Sequence, residues 1–281
     1  MSLSIQTNVT SLVAENNLQV NSAFQANTIT QLTSGYRINS SGDDAAGLAV
    51  ANKLRSGIAE LQQGVRNAND GTAALQTIDG GLNNISNILD TLKSLAAQSA
   101  SDTFTGSRTT LNSEFTTLLS EINRQASNIG LASGTAGTAA TQYNVSISVY
   151  IGGGDTQADS QVAVNLSGSG NIVDSNGLGI ASDTVDTKAN ALTALTDIAT
   201  AVSNLGNVQG AVGTGENDLT YAIGLANSQI QNKSAAESDI RDADIAQEAS
   251  NLTKSQVLEQ SSVAALAQAN AAPQALLKLL Q

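Results

Sequence analysis

The sequence predicts a mainly α fold, a long antiparallel helical bundle or coiled coil with a small β-hairpin region and paired chain termini. Three observations carry this reading. The 281 residues include one proline, Pro273, so long helices meet almost no breaker. Apolar residues recur at steps of three and four toward both ends of the chain, the period of a helix with one buried stripe. Only the middle switches to the period-two alternation of strands, in YNVSISVYI (143–151) and QVAVNLS (161–167).

The first helix is expected over 7–34, with Val9, Leu12, Val13, Val20, Ala23, Phe24 and Leu32 on one stripe. Gly35 supplies a C-cap. Asn39, Ser40, Ser41 and Asp43 offer oxygens to cap the next helix, whose positive end the Asp43-Asp44 pair also favours. The second helix, over 44–99, carries a coiled-coil seam from Ile58, Leu61, Val65, Ala68, Thr72 and Leu75 to Ile78, Leu82, Ile85, Leu89, Leu92 and Ala96. A third follows over 106–128, with Leu111, Phe115, Leu118, Leu119, Ile122 and Ala126 on its stripe.

The region 130–183 is rich in Gly, Ser and Thr, and its two alternating runs flank GGGDTQADS as a β-hairpin. Between 125 and 232 eight acidic residues face Lys188 alone, so this stretch is expected to be the most solvated. Helix resumes over 188–235, marked by Ala191, Leu192, Leu195, Ile198, Ala199, Val202, Leu205 and Val212, then Leu219, Ile223, Ala226 and Ile230. The last helical segment, 236–281, is marked by Ile245, Ala249, Leu252, Val263 and Leu266. A terminal helix with one apolar stripe needs a partner, so the two ends are expected to lie together.

Composition excludes most chemistry. The chain has no Cys and no His, which removes thiol nucleophiles, imidazole bases and the common zinc and haem sites. Three Phe, four Tyr and no Trp leave a thin core of small side chains. A net charge of -12 repels nucleic-acid phosphates. No apolar run is long enough to span a membrane, and MSLSIQTNVTSLVAENN lacks the basic and apolar regions of a cleaved signal. Asp43-Asp44 reads as a helix cap rather than a metal site, and GGGDTQAD is one copy of a calcium nonapeptide that needs stacked repeats. No catalytic, cofactor or metal residue is expected.

Residues 32–85, LTSGYRINSSGDDAAGLAVANKLRSGIAELQQGVRNANDGTAALQTIDGGLNNI, resemble the N-terminal region of bacterial flagellins. Residues 235–281, AAESDIRDADIAQEASNLTKSQVLEQSSVAALAQANAAPQALLKLLQ, resemble their C-terminal region. The resemblance implies a self-assembling filament subunit, extracellular, exported through the flagellar type III apparatus. It implies 1–42 and 236–281 as the helices of an inner coiled-coil layer and 43–235 as a rod domain, without large outer domains. It places Arg37, Asn39, Asp43, Asp44, Leu266, Gln268, Asn270 and Pro273 in self-assembly, with an export chaperone, a filament cap and hook-junction proteins as further partners. Leu95, Gln98 and Glu121 match positions facing the vertebrate flagellin-sensing Toll-like receptor, but Thr91 stands where that motif has Arg, so weakened or absent recognition is expected. The alternatives are a hook-filament junction protein and a secreted coiled-coil effector.

Overall fold

In the computed structural model, the described residues are 7–134, 142–143, 146–153, 160–167 and 170–279, with side chains to 271. Their elements are α1 (Val9–Ser34), α2 (Ala45–Ala100), α3 (Arg108–Asn128), β1 (Ser146–Tyr150), β2 (Gln161–Asn165), α4 (Lys188–Arg241) and α5 (Ile245–Leu279). The fold is mainly helical with one small antiparallel sheet, β1 to β2, in which Ser148 faces Ala163. Most of the hairpin's connecting segment, 154–159, lies outside the described residues.

The chain divides into two compact units, Gly57–Gln231 and Met1–Ser56 with Asn232–Gln281. In the central unit, α2 buries the expected seam: Leu61, Ala68, Leu75, Ile78, Leu82, Ile85, Leu89, Leu92 and Ala96 are all in the core. Helix α3 adds Leu111, Phe115, Leu119, Ile122 and Ala126, and Phe115 is the largest fully buried side chain. Its N-terminus is capped by the Ser107 hydroxyl, which accepts from the Thr110 amide at 3.3 Å.

Helix α4 buries most of the expected face, with Ala194, Ala201 and Val208 added to it. Ala191, Ala194, Ile198, Ala201, Leu205, Val208, Val212, Leu219 and Ala226 are buried, whereas Leu192 and Val202 are exposed. The added alanines let neighbouring backbones approach beside Ile198 and Leu205, and Leu192 and Val202 fall off the buried side. The helix also continues to Arg241, past the expected end at 235, since Ala235, Ala236 and Glu237 favour helix and nothing in SAAESDIR stops it.

The hairpin is seated on α2 by a glycine. A Cβ on Gly64 would lie 1.7 Å from the Ile151 carbonyl oxygen, so only Gly admits the backbone there. Beside it the Asn67 amide donates to the Tyr150 carbonyl at 3.0 Å, and the Tyr150 hydroxyl donates to Glu60.

The acidic stretch is less solvated than its composition predicts. Ile129, Leu131, Val173, Leu178, Ile180 and Val185 enter the core. Asp174 is buried, and its Oδ2 accepts from the Ser133 amide at 2.7 Å and from the Ser133 hydroxyl, while its Oδ1 accepts from the Gly177 amide at 2.7 Å. One carboxylate thereby satisfies three donors and folds the loop onto the apolar residues around it.

Candidate functional site

The chain termini pair as α1 against α5, antiparallel, in the unit that contains both. The less exposed positions of α1 include Ser11, Ala14, Leu18, Asn21, Gln25, Thr28 and Leu32, with Gln31 beside them, and those of α5 include Glu248, Leu252, Ser255, Glu259, Ser262, Leu266 and Ala269, with Asn251 beside them. Both series alternate steps of three and four, the spacing of a coiled-coil seam. Most of their members are small or polar. Among the described residues, hydrogen bonds of 2.8 Å cross the seam from Asn8 Nδ2 to the Ala269 carbonyl, from Ser11 Oγ to Asn270 Oδ1 and from Asn21 Nδ2 to Ser262 Oγ. The buried hydroxyls of Thr28 and Ser255 donate back to their own helix, at Phe24 O and Leu252 O, so neither is stranded.

This corrects the expectation for α1. Of the expected stripe only Leu32 turns toward the seam, while Val9, Leu12, Val13, Val20 and Phe24 are exposed, Val13 by 56% and Val20 by 60%. The physical reason is that α1 carries two stripes. Val13 and Val20 stand two residues beyond the seam positions Ser11 and Leu18, which is roughly 200° around a helix of 3.6 residues per turn. On α5, Ile245, Val257, Leu258 and Val263 are likewise exposed. Both terminal helices thus leave apolar side chains exposed.

The linker residues are brought together with the end of α4 and the connection into α5. The Arg37 amide donates to the Arg241 carbonyl at 2.7 Å, and the Ala243 amide to the Gly35 carbonyl at 2.9 Å, an antiparallel bridge centred on Tyr36 and Asp242. Arg37 Nη2 reaches the Ile240 carbonyl at 2.8 Å, and the Arg241 guanidinium lies 4.1 Å from the Tyr36 ring centre. Asn39 Nδ2 donates to the Tyr36 carbonyl. Asp43 accepts the amides of Ser40 and Asn39, and these two bonds hold its carboxyl below the usual range. Asp44 accepts the Gly47 amide at 2.8 Å, and Asp244 caps α5 through the Ala246 and Gln247 amides. Both acidic residues of the pair are therefore engaged by backbone, and among the described residues no cluster could hold a metal ion.

The remaining expected positions scatter. Leu266 lies in the α1–α5 seam and Asn270 accepts from Ser11, whereas Gln268 is exposed; Pro273 falls within the span of α5, its side chain outside the described residues. Leu95, expected to face a receptor, instead belongs to the central core at 9% exposure, because it falls next to Ala96 and Leu92 on the buried side of α2. Gln98 is exposed, and Glu121 is clamped by Arg124 Nε at 2.7 Å and Gln125 at 2.8 Å. Those hydrogen bonds, the Arg124 one foremost, lower the Glu121 carboxyl to about 2. Sequence spacing missed the Tyr36–Arg241 stack, which joins residues 205 positions apart in the chain, and it missed Leu18, hidden among polar neighbours.

The comparisons with known proteins agree with this layout of matched ends. Residues 5–130 match the bacterial flagellin N-terminal helical region, and residues 193–280 match the bacterial flagellin C-terminal helical region. A flagellin of Halalkalibacterium halodurans is 34% identical over 99% of both chains, and one of Listeria innocua is 32% identical over 99% of both. A flagellar filament 30.7 kDa core protein of Treponema maltophilum is 33% identical over 98% of this chain and 99% of its own. A crystal structure of Bacillus cereus flagellin aligns with a TM-score of 0.47 at 23% identity, over 61% of this chain and 94% of that one. Such complete mutual coverage also fits a short form with no large outer domain between the two matched regions. With both family regions matched in order and full-length relatives above 30% identity, the chain belongs to the bacterial flagellin family.

Proposed function

We propose that this structural protein polymerises into the extracellular flagellar filament through the outward apolar faces of α1 and α5. The observation that carries the reading is the inverted helix pair: polar residues meet inside the chain, and Val9, Val13, Val20, Val257 and Val263 are left outside. Burying one such side chain is worth about 1.5–3 kcal/mol, so a few contacts with neighbouring copies suffice to drive assembly. A contact between different faces of identical subunits propagates as a helical filament when its rotation does not close a ring. On this reading Arg37, Asn39, Asp43 and Asp44 hold the linker that presents α1, Leu266 and Asn270 keep α5 in register with it, and Gln268 and Pro273 stand on the segment that meets other copies.

Export through the flagellar type III apparatus, a dedicated chaperone, and contacts with cap and hook-junction proteins complete the reading by family membership. Terminal helices whose seam is mostly polar gain little from pairing alone, which suits a chain that travels unfolded and orders on docking. The residues 1–42 and 236–281 then form the inner layer and 43–235 the rod.

The test is electron microscopy of full-length protein after salt-induced assembly, beside a Val13→Asp, Val20→Asp double variant. Long tubes from the parent and monomers from the variant, with its helical circular dichroism preserved, are expected. Tubes from the variant would overturn the role of this face. Short rings or monomers from the parent would favour the junction-protein or effector reading.

A further inference from the structure

The sequence has one Asn-Gly step, Asn176–Gly177. In such a step the following backbone nitrogen reaches the Asn side chain most easily, because Gly has no side chain to hinder the approach. Asn176 is exposed, and Gly177 cannot be exchanged for a bulkier residue, since a Cβ there would run into the carbonyl oxygen and side chain of Ile172.

The peptide group between the two residues is pinned at both ends. Its N–H, on Gly177, donates to Asp174 Oδ1 at 2.7 Å, and its carbonyl, on Asn176, accepts from the Gly179 amide at 3.1 Å. The turn around it is closed by the Leu178 amide on the Asp174 carbonyl and the Ile180 amide on the Ser175 carbonyl, both at 2.9 Å, with Gly179 in the left-handed conformation that ends such a turn. The Ser175 amide ties it to α3 by donating to Asn123 at 2.8 Å. Asp174 is itself buried, and Leu178 and Ile180 enter the core.

We propose that Asn176 is a deamidation site, closed in the folded chain by Asp174 and open in the unfolded one. In the reaction the Gly177 nitrogen loses its proton to hydroxide and attacks the side-chain carbonyl carbon of Asn176. A bond from that carbon to the Gly177 nitrogen forms, the bond to the side-chain nitrogen breaks, and ammonia leaves with a proton from water. Water then opens the cyclic imide at either carbonyl, giving Asp or isoaspartate. Asp174 opposes the first step in two ways. Its carboxylate makes the Gly177 N–H harder to ionise, because the nitrogen anion would face a like charge. Turning the peptide plane toward the Asn176 side chain would also break both bonds that pin it. Isoaspartate runs the backbone through the side chain and lengthens it by a methylene, so Gly177 no longer meets Asp174, and Leu178 and Ile180 lose their seat. A chain held unfolded is thus marked at position 176 and refolds to a weaker central unit.

The test compares the full-length chain folded in mildly alkaline buffer with the same chain in urea, following each asparagine by mass spectrometry of tryptic peptides. In urea Asn176 is expected to convert ahead of the other asparagines. In the folded chain its rate should fall by about tenfold or more, because reaction waits for the turn to open. Asp174→Ala should raise the folded rate by about tenfold. Ser133→Ala, which removes a hydroxyl from the opposite carboxylate oxygen and leaves the Gly177 bond, should change it little. If Asp174→Ala folds poorly, Asp174→Asn, which keeps the shape and loses the charge, takes its place and should also exceed the parent. Equal rates in buffer and urea, another asparagine converting first in urea, or a folded Asp174 variant no faster than the parent would each overturn the assignment.

Discussion

Gly64→Ala opposes two effects whose sizes the structure lets us compare. In a helix interior, replacing Gly with Ala stabilises by about 0.5–1 kcal/mol through backbone entropy. At position 64 the added methyl would sit 1.7 Å from the Ile151 oxygen, 2.4 Å from its carbonyl carbon and 2.6 Å from its Cα. All three neighbours are backbone, so no side chain can rotate aside. Bringing the oxygen back to an ordinary contact of about 3.2 Å demands a retreat of about 1.5 Å. That shift breaks the 3.0 Å bond from Asn67 to Tyr150 and draws Ile151 and Val149 out of the core. Losing one hydrogen bond costs about 1 kcal/mol, and partly exposing one Ile another 1.5–3 kcal/mol or so, against the sub-1 kcal/mol gain. The net expectation is about 2–3 kcal/mol of destabilisation, read as a lower denaturant midpoint for the monomer. Amide exchange at Ile151, whose N–H donates to the Ser160 carbonyl at 2.8 Å, should quicken. Gly80→Ala and Gly206→Ala are the controls, because a Cβ at either meets nothing within 4 Å; both should stabilise slightly. If Gly64→Ala behaved like these controls, the seating of the hairpin on α2 would be wrong.

Asp174→Ala removes the acceptor for the half-buried Gly177 amide and for the exposed Ser133 amide, which water can satisfy, so at about 1–3 kcal/mol for a stranded donor the chain should lose on the order of 2 kcal/mol in urea denaturation. Arg124→Gln should raise the Glu121 carboxyl from about 2 toward its ordinary range, seen by NMR titration. The sign of that linkage is fixed: a depressed carboxyl stabilises above its unfolded value and the contribution disappears as pH falls through the folded one, so the variant should differ from the parent less in strong acid than at neutral pH.

Which parts of this fold are legible in sequence depends on where each apolar stripe finds its partner. The seam of α2 and the stripe of α3 read correctly because Leu, Ile and Phe at regular steps meet other residues of the same chain. The face of α4 reads correctly at Ile198, Leu205, Val212 and Leu219 but misses Ala194 and Ala201, because alanine is also a common filler of helix surfaces. Loop 170–187 misleads for another reason: its composition is polar, yet Val173, Leu178, Ile180 and Val185, spaced irregularly, are all buried, Val173 held by its amide bond to the Leu131 carbonyl and Val185 by its bond to Asn112. Leu95 shows the limit of matching motif positions, since a residue on the buried side of a helix offers little to a partner.

The candidate assembly face was half legible, and the missing half is informative. Periodicity on α1 finds the apolar stripe but cannot say whether its partner is the other end of the chain or another copy. The polar stripe is the one that meets α5 within the chain, which leaves the apolar stripe unpaired there. Ser11 and Asn21 find hydrogen-bond partners on α5 at matching heights, and a seam of hydroxyls and amides is specific in register while contributing little net stability. Had the valines faced inward, the pair would have been stable alone and its outer surface inert. Placed as they are, the residues that fix the register work within one chain, and those with the larger free energy to release by burial remain for contacts beyond it.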